Sequence, residues 1–233
     1  MFRTTKCMTQ LVIILAILVS LPAFAHAGEQ AVVIPAPLLD NPKVSGPLQT
    51  AVLAGGCFWG VQGVYQHVRG VRAVLSGYAG GTRETAHYQT VSRGTTGHAE
   101  SVEIRFDPKE VSYGEILQIF FSMVHDPTQL DRQGPDTGPQ YRSNIFYADD
   151  AQRKVAQAYL VQLGKTSLFG RAIVTRVDAL EGFYPAEPYH QDFLINNPQY
   201  PYIVINDLPK IENLRTLFPA LYRDQAVTVK NSN

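Results

Sequence analysis

An apolar run, Ala51-Val52-Leu53-Ala54, breaks on Gly55-Gly56, and from Phe58 onward the apolar positions change period. Val61, Val64, Tyr65 and Val68 recur every three or four residues, with Gln62, Gln66 and His67 on the other side. These patterns predict a strand, a glycine turn and a helix that Gly70 ends. Val71 to Tyr78 reads as a second strand running into Ala79-Gly80-Gly81. The clearest alternation follows, with Val102, Ile104 and Phe106 on one face and Ser101, Glu103 and Arg105 on the other. Ser112 to Val124 carries a helical stripe of Ile116, Leu117, Ile119, Phe120, Met123 and Val124, stopped by His125-Asp126-Pro127. A strand at Asn144 to Tyr147, a helix from Ala151 to Leu163, a strand at Ala172 to Val177 and a helix from Leu208 to Leu217 complete the pattern. The order β-α-β, β-α, β-α-β predicts one α+β domain, a two-layer mixed sheet with packed helices and a ferredoxin-like split β-α-β core.

The two ends break this pattern. Arg3 and Lys6 precede an apolar stretch from Leu11 to Leu21, and Ala25-His26-Ala27 offers small residues at the cleavage positions. Residues 1–27 are therefore expected to be a signal peptide cut after Ala27, with the mature protein exported, in a bacterium to the periplasm. The apolar stretch is short for a membrane span, which needs about 20 residues, and an uncleaved anchor is the alternative. Residues 28–49, with Ile34-Pro35-Ala36-Pro37, Asn41-Pro42 and Gly46-Pro47, read as a proline-rich arm or linker. The catalytic domain is taken as 50–205, and 206–233 as a C-terminal helix and loose tail without cysteine.

Composition changes the picture in two places. The chain is 45% hydrophobic with 20 basic and 20 acidic residues, and cleavage removes two of the basic ones, so nothing points to nucleic acid. Of two cysteines, Cys7 falls in the segment expected to be removed. The mature chain then has one cysteine and no internal disulfide.

That cysteine, Cys57, stands at the predicted helix entrance, where free N–H groups and the helix dipole favour a thiolate. Phe58 and Trp59 beside it would form an apolar wall. A lone cysteine is also often a small buried hydrophobe, and both readings are open on this ground alone. Glu100 shares parity with the inward face of its strand. It is either a desolvated carboxyl with a raised pKa, suited to act as an acid, or a solvated residue at the sheet's end. The loops at 80–97 and 126–142 are polar and irregular, places where function tends to sit. His87, His98, His125 and His190 lack metal-ligand spacing, and His98 and His190 are expected to order loops. The aromatics around 183–190 could line a groove or pack the core.

Gly-Cys-Phe-Trp-Gly at 56–60, Gly-Tyr-x-Gly-Gly at 77–81, Thr-Gly-His-Ala-Glu at 96–100, His-Asp-Pro at 125–127, Gln-Tyr-Arg-Ser at 140–143 and Ala-Glu-x-Tyr-His-Gln at 186–191 together resemble peptide methionine sulfoxide reductase of the A type. The resemblance spans about residues 50–205 in six ordered motifs. It implies thiol-dependent reduction of methionine S-sulfoxide in oxidised proteins, with free methionine sulfoxide as a further candidate substrate, and the roles it implies can be placed residue by residue. Cys57 looks like the nucleophile and Glu100 like the acid that protonates the sulfoxide oxygen. Phe58 and Trp59 look like the walls of the methyl pocket, Tyr88 and Tyr141 like the hydroxyls that bind the oxygen, and Asp136 like the pocket aspartate. No bound cofactor or metal is expected. Many members carry a resolving cysteine; here the tail has none and Ser92 occupies a loop position where some place one. An external thiol, from a thioredoxin-like donor or another dithiol, is therefore expected to resolve the Cys57 sulfenic acid. A monomer without a stable membrane span is expected. The rivals are a non-catalytic binder of oxidised methionine peptides and a thiol peroxidase.

Overall fold

The computed structural model describes residues 31–231. The signal-peptide expectation and Cys7 lie outside the described residues. The chain forms β1 (Gln49–Gly55), α1 (Phe58–Gln66), β2 (Val71–Ala79), α2 (Tyr88–Val91), β3 (Ala99–Phe106) and α3 (Tyr113–Ile119), which continues as a π-helical turn to Val124. Then come β4 (Arg132–Gln133), β5 (Asp136–Thr137), β6 (Ser143–Tyr147), α4 (Asp150–Gly164), β7 (Arg176–Ala179), β8 (Phe183–Pro185), α5 (Phe193–Asn196), a π-turn at Ile203–Asp207 and α6 (Leu208–Leu217).

The sheet runs β7-β6-β1-β3-β2-β8. β1 and β2 flank β3 and both pair with it antiparallel, so the β1-α1-β2 unit is split by β3; β6 pairs antiparallel with β1 and parallel with β7. This is the expected two-layer α+β arrangement, and helices on one face close the core. Val102, Ile104 and Phe106 of β3 are fully buried with Val61, Val64 and Tyr65 of α1 and Ile116, Leu117 and Ile119 of α3. The strand expected at Ala172 to Val177 forms instead at Arg176–Ala179, because its register is set by parallel pairing with Asn144 to Tyr147. No helix among the described residues is long and apolar enough to cross a membrane.

The arm is a docked strap. Ile34 is buried in the core, Val32 N–H donates to Ser122 O at 2.8 Å, and Gln118 and Tyr159 donate to the carbonyls of Ile34 and Pro35 at 2.8 and 2.7 Å. Asp40 extends the capping box of α3, in which Ser112 and Glu115 bond reciprocally. Its carboxylate accepts from Ser112 Oγ at 2.5 Å and Gly114 N–H at 2.7 Å. The C-terminal tail differs likewise from the loose segment its polarity suggests. Arg223 and Val227 donate through N–H to the carbonyls of His67 and Gln66, and Val229 N–H donates to Asp192. Backbone hydrogen bonds to the end of α1 hold the tail, so its polarity is no guide to its order. Ile34→Ala should cost about 2–5 kcal/mol in urea unfolding if the strap is part of the cooperative unit. An unchanged midpoint would mean that the strap opens independently of the core.

Candidate active site

The chain enters the site along β1, the sheet's third strand, and turns at Gly56, whose φ of +93° suits glycine. A Cβ there would also lie 2.6 Å from Gln133 Cγ. Cys57 follows as N-cap of α1, with no side-chain cap hydrogen bond, and is partly exposed. The next residue ties the turn to β3: Phe58 N–H donates to Glu100 Oε2 at 3.1 Å. Glu100 is 3% exposed, so the inward reading of its parity is the one the fold adopts. Burial raises its pKa to about 8, Asp136 acts in the same direction and the Phe58 N–H opposes it. Near neutral pH it is mainly the protonated acid.

Cys57 itself departs from expectation. Burial pushes the thiol well above its ordinary range; Glu100, Asp207 and Asp136 add to this, and only the Trp59 N–H favours the thiolate. Desolvation and three nearby carboxyl groups outweigh the partial charge at the entrance of a nine-residue helix. The expected low-pKa thiolate is therefore corrected to a thiol that is neutral in the free protein.

An aromatic wall stands on the α1 side. Trp59 stacks on Phe193 at 3.8 Å between ring centroids and meets Tyr200 and Tyr202 edge-on. Its indole N–H donates to His190 Nδ1 at 3.1 Å. The His190 ring also packs on Phe58 and Tyr88, at 5.1 and 4.6 Å. Of the aromatics around 183–190, Phe183 and Tyr184 thus build strand β8, while His190 backs the site and Tyr189 is exposed. Glu187 secures the neighbouring loop, accepting from Tyr78 O–H at 2.8 Å and Tyr88 N–H at 3.0 Å.

The far loop brings Asp136, from β5, and Tyr141. Tyr202 O–H donates to Asp136 Oδ2, and burial raises the Asp136 pKa. Tyr88 and Tyr141 both feel the charges of Glu100, Cys57 and Asp136, which raise their phenol pKa beyond the effect of burial, so the hydroxyls stay protonated donors. Arg142 fixes this loop to the start of β3 through the carbonyls of Gly97, His98 and Pro139, at 2.8, 3.1 and 2.9 Å. His98 Nε2–H donates to Thr82 O at 2.9 Å and orders the preceding loop.

The residues given roles by the resemblance, Cys57, Phe58, Trp59, Tyr88, Glu100, Asp136 and Tyr141, all contribute to this one cluster. Sequence reasoning missed Phe193, Tyr202 and Asp207, and had Glu187 only as a motif position without a role. An acidic residue just past the apolar run Ile203-Val204-Ile205 was the available signal for the last.

A protonated buried carboxyl, phenol donors and one cysteine gathered in an aromatic recess are the arrangement of a thiol oxidoreductase. The chain belongs to the peptide methionine sulfoxide reductase family: the family model so described matches residues 49–220. It is 58% identical over 191 residues to peptide methionine sulfoxide reductase MsrA 2 of Mesorhizobium japonicum, covering 82% of this chain and 98% of the relative. The MsrA 2 of Synechocystis is 53% identical over 186 residues, covering 78% and 87%. Among solved structures, Mxr1 of Saccharomyces cerevisiae in its reduced form matches with a TM-score of 0.59 and 31% identity, over 76% of this chain and 94% of that one.

Proposed function

We propose that this protein reduces methionine S-sulfoxide residues in oxidised proteins to methionine, with Cys57 as nucleophile and Glu100 as acid. The observation that carries this reading is the bond from Phe58 N–H to buried Glu100, which pins a protonated carboxyl beside the thiol. The Cys57 sulfur attacks the sulfoxide sulfur while Glu100 protonates the oxygen, with Tyr88 and Tyr141 donating to that oxygen. The Cys57 proton restores Glu100. The sulfur–sulfur bond then breaks as the protonated oxygen passes from the substrate sulfur to Cys57, so the substrate sulfur leaves as the thioether, reduced by two electrons, and Cys57 is oxidised to sulfenic acid. Phe58 and Trp59 enclose the substrate methyl group, and Asp136, tied to Tyr202, completes the pocket. The restriction to the S epimer rests on family membership.

Cys57 is the one cysteine among the described residues, which supports resolution from outside. An external thiol condenses with the sulfenic acid, releasing water and leaving a mixed disulfide, and a second thiol frees Cys57. A thioredoxin-like dithiol suits both steps. The N-terminal pattern, Arg3 and Lys6 before an apolar stretch ending in Ala25-His26-Ala27, supports export. The donor would then be a periplasmic one, since that compartment is oxidising.

The raised thiol favours a second reading, a binder of oxidised methionine peptides without turnover, and disfavours a thiol peroxidase. A single-turnover assay separates them: pre-reduced protein, one epimer of a methionine sulfoxide peptide at a time, no reductant and a sulfenic-acid trap. About one methionine per chain from the S epimer, with one adduct on Cys57, is the expected result. Folded protein with a free thiol that yields no methionine from either epimer would establish the binder.

A further inference from the structure

The π-turn at Ile203–Asp207 ends in a carboxylate that the reaction above leaves unused. Asp207 is 0% exposed, and apart from Lys210 no neighbouring side chain or backbone group donates to its oxygens. Lys210 Nζ makes a long ion pair with Oδ1 at 3.6 Å. The carboxylate rests on the first turn of α1: a Cβ at Gly60, three residues after Cys57, would lie 2.1 Å from Oδ1. Only a residue without a side chain lets a carboxylate sit there. The residue just before the same turn, Tyr202, binds Asp136, so one short segment places acidic or phenolic groups around the nucleophile.

The titratable and charged groups facing Cys57 are Glu100 from β3, Asp136 from β5, Tyr88 from α2, Tyr141 from the turn before β6, and Tyr202 and Asp207 from either end of the π-turn, with Lys210 of α6 behind Asp207. Near neutral pH Glu100 is mainly protonated, whereas Asp207, raised by burial to about 6, is mainly ionised. Asp207 is thus an ionised group against the first turn of α1 whose charge acts on the sulfur, and Lys210 offsets part of it.

We propose that Asp207 is a specificity-determining positioning residue, whose charge on the first turn of α1 holds Cys57 as a neutral thiol until a sulfoxide protonated by Glu100 occupies the site. This rests on the sulfoxide reductase reading. Its consequence is discrimination between oxidants. Peroxide attack requires the thiolate: a sulfur–oxygen bond forms, the oxygen–oxygen bond breaks, hydroxide leaves, and Cys57 becomes sulfenic acid. A sulfoxide brings its own demand for a proton, which Glu100 meets, so the neutral thiol is kept for the proper substrate.

The test compares wild type, Asp207→Asn and Lys210→Met by rates of iodoacetamide capture and hydrogen peroxide oxidation of Cys57 from pH 5 to 10, beside sulfoxide turnover. Removing one unit charge at side-chain separation should raise capture and peroxide oxidation at pH 7 about tenfold in Asp207→Asn, with sulfoxide kcat/KM rising less or falling. Lys210→Met, compared at about pH 9 where Asp207 stays ionised without the lysine, uncovers the Asp207 charge and should slow capture several-fold. A capture profile unchanged in Asp207→Asn, or shifted the same way in both variants, overturns the proposal. Should Asp207→Asn not fold, Lys210→Met decides alone, with unchanged or faster capture counting against it. Capture and peroxide rates need no sulfoxide, so a protein inert toward sulfoxides would refute the proposed function while leaving these rates readable.

Discussion

Cys57→Ser is expected to lower the rate of methionine formation by at least about 10⁴-fold without changing the fold. The substituted hydroxyl fits the N-cap position at the entrance of α1. Helix and sheet content should therefore survive and the loss be read as chemistry. Serine cannot take the oxygen as a sulfenic acid, and the structure offers no second cysteine among the described residues to do so. The measurement is product methionine from a sulfoxide peptide under excess dithiol. Residual turnover of even a few per cent would move the nucleophile elsewhere.

Glu100→Gln is expected to cost about 10²–10⁴-fold, because the amide still accepts the Phe58 N–H but has no proton to give. Two pH signatures accompany the loss. In wild type the first half-reaction should decline as pH rises past about 8, where Glu100 ionises, and the residual activity of the variant should lack that alkaline limb. Stability should respond as well. The folded carboxyl keeps its proton up to about 8, whereas the unfolded one releases it near 4.5. Between those values the native state binds more protons, so unfolding free energy falls as pH rises through the window. Urea titrations at pH 5 and pH 8 should show that decline in wild type and a smaller one in Glu100→Gln. Equal rates for the two proteins would reject the acid role.

The parts of the site that local pattern can specify were legible in the sequence. Alternation along β3 gave Glu100 the parity of the inward face, but whether it lies within the sheet or in water at its end is decided by the fold. The change of period after Gly56 placed Cys57 at a helix entrance because a glycine turn must separate the two. What local pattern cannot carry is the field at the sulfur. The favourable helix terminus is local, but the opposing carboxylates arrive from β3, β5 and the π-turn before α6, and only the fold brings them together. The same limit hid Tyr202 and Asp207, whose surroundings in sequence are apolar and proline-bearing. It also hid the arm, which lacks periodicity because it is held by Asp40, by backbone carbonyls and by one buried isoleucine.

That arm also fixes an order of events. Leu38 N–H reaches Gln162 and Pro35 accepts from Tyr159, each across 124 residues of sequence. A chain that emerges N-terminus first can seat Val32 and Ile34 once α3 and its π-helical turn have followed, but must carry Pro35 and Leu38 unpaired until α4 has emerged. The strap therefore closes in two stages, its upstream end before its downstream one.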